Sequence, residues 1–246
     1  MALWMARAQS TTILQAVTGV HLLIRYHYML QNRCLPTVIL IILLVTITSC
    51  QSLNRRNPLS SELVIASPEV YESLSDKTLA VTYQKSLRNI YSAIRSHYKP
   101  TQLEFFLISG ICFRALQIKS TYETYLFINT KISQRFNDNK TTFEQRATKI
   151  FTKYTKHLLT LAAQEKELLQ DTALAGIMIS TRWSIERTLK KGFRTISFEE
   201  ITLVAQKEQV DHYLQATITD QELLDQSTII ALREGDDAQI IQLHLD

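Results

Sequence analysis

Residues 76–246 read as an all-α domain, an antiparallel helical bundle built from long helices. Three observations carry that expectation. Residues 101–246 contain no proline, and glycine occurs there only at 110, 176, 192 and 235; these two residue types interrupt helices most strongly. Apolar residues recur at spacings of three and four, which lines them along one helical face. Four Ser/Thr-x-x-Glu boxes punctuate the chain, and each satisfies two orphan amides where a helix begins.

The first helix is expected to start near Asp76, with Leu79, Tyr83, Leu87, Ile90 and Ile94 as its stripe and Tyr98-Lys99-Pro100 as its end. Thr101-Gln102-Leu103-Glu104 is the first box and opens a helix to Phe136, with Leu103, Phe106, Leu107, Ile111, Leu116, Ile118 and Leu126 among its apolar residues. Gly110 inside it marks a close crossing or a kink. Asn137-Asp138-Asn139 reads as a tight turn, because these side chains bond their own backbone.

Thr141-Thr142-Phe143-Glu144 is the second box. It opens the longest periodic stretch, with Phe143, Ala147, Ile150, Tyr154, Leu158, Leu161 and Leu168 at near-heptad spacing. Continuous from 142 to 191, this helix would be about 75 Å long; a break at Asp171-Thr172 or Gly176 is the alternative. Lys190-Lys191-Gly192 is a helix end, with cations near the last carbonyls and then glycine. Ser197-Phe198-Glu199-Glu200 and Thr219-Asp220-Gln221-Glu222 open helices through Gln215 and Arg233, and the tail after Gly235 is left between a short strand and a frayed end. Helices joined by short turns form antiparallel hairpins, the unit of a bundle.

The other end of the chain has a different character. Leu35–Cys50, LPTVILIILLVTITSC, is apolar, follows Arg33 and ends on a small residue before cysteine. A secretory signal needs a positive segment, an apolar run of about 7–15 residues and small residues at the cut. A spanning helix wants about 20 apolar residues, and the polar QSLNRRNP after Cys50 does not extend the run. Ile47-Thr48-Ser49-Cys50 resembles the lipobox of bacterial lipoproteins, and the resemblance covers this signal alone. It implies a diacylglyceryl group on the Cys50 thiol, cleavage before Cys50 and acylation, such as palmitoylation, of the new amine. Two lipid chains anchor firmly where one does so only marginally. Gln51 after the cysteine resembles the outer-membrane class.

The domain plan is therefore residues 1–49 as signal peptide, 50–75 as lipidated cysteine and tether, and 76–246 as the bundle. Residues 1–28 make an unusually long leader, and Met29 begins a signal of ordinary length, so translation is expected to start there. The alternative is a genuine leader helix through Ile13, Val17, Val20 and Leu23-Ile24. The tether reading rests on Pro58, Pro68 and the Ser and Asn residues between Gln51 and Ser75.

Arg7, Arg25 and Arg33 are the only charged residues of the signal, so the mature chain keeps 27 − 3 = 24 basic against 23 acidic residues. A net charge of 24 − 23 = +1 argues against a nucleic-acid binder. Cys34 falls in the signal and Cys50 is lipidated, which leaves Cys112 without a pairing partner and reading as a small buried residue.

Chemistry-bearing motifs are missing from the sequence. G-x-S-x-G, P-loop, G-x-G-x-x-G and H-E-x-x-H do not occur. A carboxylate di-metal site in a bundle needs Glu-x-x-His, whereas Ile94, Tyr154, Gln209 and Ile241 precede His97, His157, His212 and His244 by three. His212 reads as a surface residue, and Glu165-Lys166-Glu167 as a solvated face. Trp183, flanked by Arg182 and Arg187, is the candidate partner contact, since Trp and Arg are enriched at hot spots; the competing reading places Trp183 in the core.

These readings converge on a non-enzymatic, cofactor-free, lipid-anchored protein of the bacterial envelope. It would face the periplasm, with the outer membrane favoured, and act as adaptor or scaffold for a protein partner, held to membrane lipid through Cys50. An inhibitor or immunity-type protein with one specific partner, a small-ligand carrier within the bundle, and an enzyme with an unrecognised site are the alternatives.

Overall fold

The computed structural model describes residues 60–118, 121–188, 194–233 and 236–245. Cys50 and the rest of the predicted signal lie outside them, as do residues 51–59 of the predicted tether.

The all-α bundle is overturned. The domain is mixed α/β, with a seven-stranded sheet among the described residues. In chain order come α1 (Ser61–Val64), a 3₁₀ turn (Pro68–Val70), α2 (Leu74–Thr82) and α3 (Gln84–His97), then β1 (Leu103–Phe105), β2 (Ile111–Ile118) and β3 (Thr121–Asn137). α4 (Phe143–Ile150), a π-helical turn (Phe151–Thr155), α5 (Lys156–Ala162) and α6 (Lys166–Gln170) lead to β4 (Leu174–Thr188) and β5 (Arg194–Gln206). α7 (Lys207–Leu214), α8 (Asp220–Gln226), β6 (Thr228–Leu232) and β7 (Gln239–Ile241) complete it.

β1 and β2 lie end to end along one edge of β3, both antiparallel to it. β3 pairs parallel with β4; β4–β5, β5–β6 and β6–β7 are antiparallel. A parallel pair needs a crossover of a dozen or more residues, and α4, α5 and α6 supply it. One sheet face carries Leu126, Ile128 and Ile132 of β3, Ile177, Ile179, Trp183 and Ile185 of β4, and Ile201, Leu203 and Ala205 of β5. These pack with Leu87, Ile90, Ile94, Ile150, Leu158 and Leu223 of the helices into the main core. The opposite face has a smaller cluster of Cys112, Tyr125, Phe127, Met178 and Val204 with Ala66.

Four predicted helices give way to strands in whole or in part, and the 101–136 helix, which becomes β1, β2 and β3, shows why. β3, TYETYLFINTKISQRFN, is rich in the β-branched and aromatic residues that favour a pleated surface. Tyr125, Leu126, Phe127 and Ile128 are all buried, so the two-residue alternation that marks a half-exposed strand is lost where both faces are covered. The predicted 142–191 helix is interrupted by the π-helical turn at Phe151–Thr155 and again after Ala162, ends at Gln170, and gives way to β4 in its second half. The predicted 197–215 helix is mostly β5, and 219–233 is a helix only as far as Gln226 before β6 begins. Scarcity of glycine and proline is equally compatible with long strands. Gly110, read as a helix crossing, instead precedes β2, where an added Cβ would lie 2.6 Å from the Phe106 carbonyl oxygen and from Val64 Cγ1.

The turn and some caps hold. Asn139 donates its amide to Asn137 Oδ1 at 2.9 Å. Thr219 Oγ1 accepts from the Glu222 amide while Glu222 Oε2 accepts from the Thr219 amide. The α4 box forms one residue later than read, between Thr142 and Gln145. Residues 60–75, drawn as tether, touch the domain at points: Val64 and Ala66 are buried, and the Tyr71 hydroxyl accepts the Phe113 amide on the outer side of β2 at 3.0 Å, while most of the others are exposed.

Candidate partner-binding edge

β4 and β5 place the chemistry, because side chains alternate between the two faces of a strand. Toward the helices, Glu199 of β5 receives Arg146 of α4 through Nε at 2.8 Å and Nη2 at 2.7 Å. Trp183 Nε1 donates to the same carboxylate at 2.9 Å. Arg146 also reaches Asp138 at 3.1 Å and the Thr141 carbonyl, and Arg187 Nε meets Asp138 at 2.9 Å. Burial opposes the charge on Arg146; hydrogen bonds and attraction from Glu199 and then Asp138 outweigh it and keep the guanidinium protonated. Phe143 and Phe136 enclose the indole, with ring centroids 5.9 and 6.5 Å from it. Both carboxylates here are engaged by guanidinium groups, so the cluster fastens α4 and the 137–140 turn to the sheet.

On the opposite face, Arg182 lies across from Glu200 in the strand register. Its Nε and Nη2 donate to Glu200 Oε2 at 2.8 and 2.7 Å, and Ser180 Oγ donates to Oε1 at 2.6 Å. The Arg182 guanidinium stacks 4.8 Å from the Phe106 ring, and Lys131 Nζ sits 4.9 Å from the Phe198 ring. Ile196, Phe198 and Leu232 are exposed beside this pair. With Arg233 and Asp236 they line an open groove of about 530 Å³.

The backbone there is open as well. β6 pairs with β5 only over Glu200–Val204, whereas β4 pairs with β5 from Arg194 to Gln206. Arg194–Glu199 therefore have β4 on one side and, among the described residues, no strand on the other. An unpaired edge is a template for another strand. Ile196 and Phe198 sit two residues apart on its solvent side, the spacing at which alternate side chains of an added strand would meet them.

The sequence-selected residues thus divide. Arg182 and Arg187 are partly exposed and Trp183 is fully buried. Of the two readings of Trp183, partner contact and core, burial supports the core: its N–H donates to Glu199 and its ring is not exposed. Ile196, Phe198, Glu200 and Leu232 are absent from the contact read in the sequence; the two-residue rhythm of RTISFEEITLV marks the first three, and nothing local marks Leu232. Ser197-Phe198-Glu199-Glu200 fits a capping box by letter and is strand in fact. Cys112 is a free buried thiol, and desolvation raises its pKa to about 11.

The fold and edge together define a two-layer α/β domain whose sheet is covered by helices on one face and open along part of one strand. No protein-family model, curated protein or solved structure matches the chain. Among the described residues no helix is long and apolar enough to cross a membrane, and no group of three or more His, Cys, Asp or Glu is placed to hold a metal ion.

Proposed function

We propose that the mature protein is a lipid-anchored adaptor of the bacterial envelope that recruits a protein partner by strand addition at Arg194–Glu199. The open edge of β5 carries the reading. Main-chain hydrogen bonds would supply the affinity, and Ile196, Phe198 and Leu232 would select apolar residues at alternate positions of an extended partner segment. The Arg182–Glu200 pair forms a polar rim at one end of that strip. Anchoring through Cys50 rests on the lipobox resemblance and on the short apolar run before it.

A photo-reactive phenylalanine analogue in place of Phe198, introduced into cells, tests the adaptor role against the same probe in place of Val81 on α2. The expected result is a discrete protein adduct at 198, lost with Ile196→Asp, and none at 81. Adducts at neither position, or equally at both, would end the edge reading. Labelling with an alkynyl palmitate, present in the wild type and absent in Cys50→Ala, tests the anchor separately.

A further inference from the structure

The sequence keeps its histidines apart, yet the fold brings two together. His97 is the last residue of α3 and His157 the second residue of α5, and both side chains are exposed. Their ring centroids lie 5.9 Å apart with planes inclined by 33°. We propose that His97 and His157 form a two-imidazole chelating site for a divalent transition-metal ion of the borderline class, Cu²⁺ most strongly and Zn²⁺ or Ni²⁺ less so. This site is independent of the partner edge.

Ring geometry supplies the argument. A metal–nitrogen bond of about 2.0–2.1 Å puts each imidazole centroid about 3.2 Å from a shared ion. Two rings on one ion are then separated by about 4.5 Å at the right angle of a tetragonal site, about 5.2 Å at a tetrahedral angle and no more than about 6.4 Å in line. The observed separation falls within that interval, and both rings sit on exposed side chains that are free to turn a nitrogen toward a shared ion. Imidazole nitrogen suits copper, zinc and nickel, and the order of affinity places copper first.

The Lys156 ammonium beside His157 opposes a cation, and the Asp220 carboxylate paired with it offsets that charge. His97 ends a helix, where the unsatisfied carbonyls carry partial negative charge that favours a cation. Tyr98 packs edge-on against His97 at 4.7 Å and lies 5.6 Å from Tyr154, which fixes the end of α3. The nearby Asp220 carboxylate is engaged by Lys156 at 2.6 Å and by the Tyr213 hydroxyl at 2.8 Å, so it is not counted as a ligand. Water would fill the remaining positions, and the ion would tie the end of α3 to the start of α5.

Calorimetric titration of the untagged full chain with CuCl₂ and then ZnCl₂ tests the site. The wild type should bind one equivalent saturably, with the copper electron-paramagnetic spectrum showing coupling to nitrogen. His97→Gln and His157→Gln should each weaken binding about tenfold or more, with His212→Gln and His244→Gln as unaffected controls. Circular dichroism confirms that each variant is folded, and zinc should raise Tm in the wild type but in neither site variant. Binding that survives either site substitution, that is lost in a control, or that never saturates near one equivalent would overturn the assignment.

Discussion

Two arginine–glutamate pairs meet β5 at consecutive residues and end in opposite surroundings. Arg146–Glu199 faces the helices, with both side chains 2% exposed. Arg182–Glu200 faces outward, with side chains 35% and 17% exposed. Contact distances are nearly the same, and the energetic expectations are not. A buried charge is costly to orphan, because its partner is left without water or counter-charge. A part-exposed pair is screened and gives up little. The inner pair therefore holds the fold while the outer pair is free to serve as the rim of a binding edge.

That contrast can be broken most forcefully at Glu199. Glu199→Ala should cost about 3 kcal/mol or more in urea unfolding, since Arg146 stays buried with only the part-exposed Asp138 as counter-charge and the Trp183 N–H loses its acceptor. Replacing both partners by apolar residues, Arg146→Met with Glu199→Leu, should recover most of it. Were the double variant as unstable as the single one, orphaned charge would not be the cause. Trp183→Phe keeps a ring in the core and removes the N–H directed at Glu199, an expected loss of about 1.5–3 kcal/mol. Glu200→Gln, which keeps an acceptor for the buried Ser180 Oγ, should change stability by no more than about 1 kcal/mol, while reducing the crosslinking yield at position 198. A stability loss equal to that of Glu199→Ala would erase the distinction between the two faces.

How much of this was legible in the sequence follows from the same residues. The Thr219 box, the 137–139 turn and the apolar stripe of the first helix stood in the letters, because local hydrogen bonds decide them. That stripe is realised as α2 and α3 with a break at Tyr83. Arg182 and Trp183 are adjacent, and their opposite fates depend on strand parity, which no helical reading contains. Ser197 to Glu200 satisfies a capping pattern, yet Thr195, Ile196, Phe198, Ile201, Thr202 and Val204 favour a strand, and pairing along the whole of β4 decides in its favour. The open edge is a difference in length between β5 and β6, a long-range property that local composition does not encode.

Smaller effects sharpen the second face. The Tyr125 hydroxyl at 2.7 Å and then the Gln206 amide at 3.0 Å hold the Glu123 carboxyl below the usual carboxylate range. Its folded pKa lies below its unfolded one, so its contribution is present above the unfolded value and is lost as pH falls through the folded one. Glu123→Gln should therefore lose less stability than the wild type between about pH 6 and about pH 3, read by denaturant titration. Cys112 should resist iodoacetamide at neutral pH in the native protein and react once denaturant exposes it, because its buried thiol ionises only near pH 11.

The account rests most heavily on β5 being paired on both sides over Glu200–Val204 and on one side over Arg194–Glu199. Residue-resolved amide hydrogen exchange on the full chain measures this directly. Protection should be continuous across Glu200–Val204 and should alternate along Thr195–Glu199, with the outward-facing amides exchanging rapidly. Uniform protection along the whole of β5 would mean that the edge is already covered, and the strand-addition reading would fall.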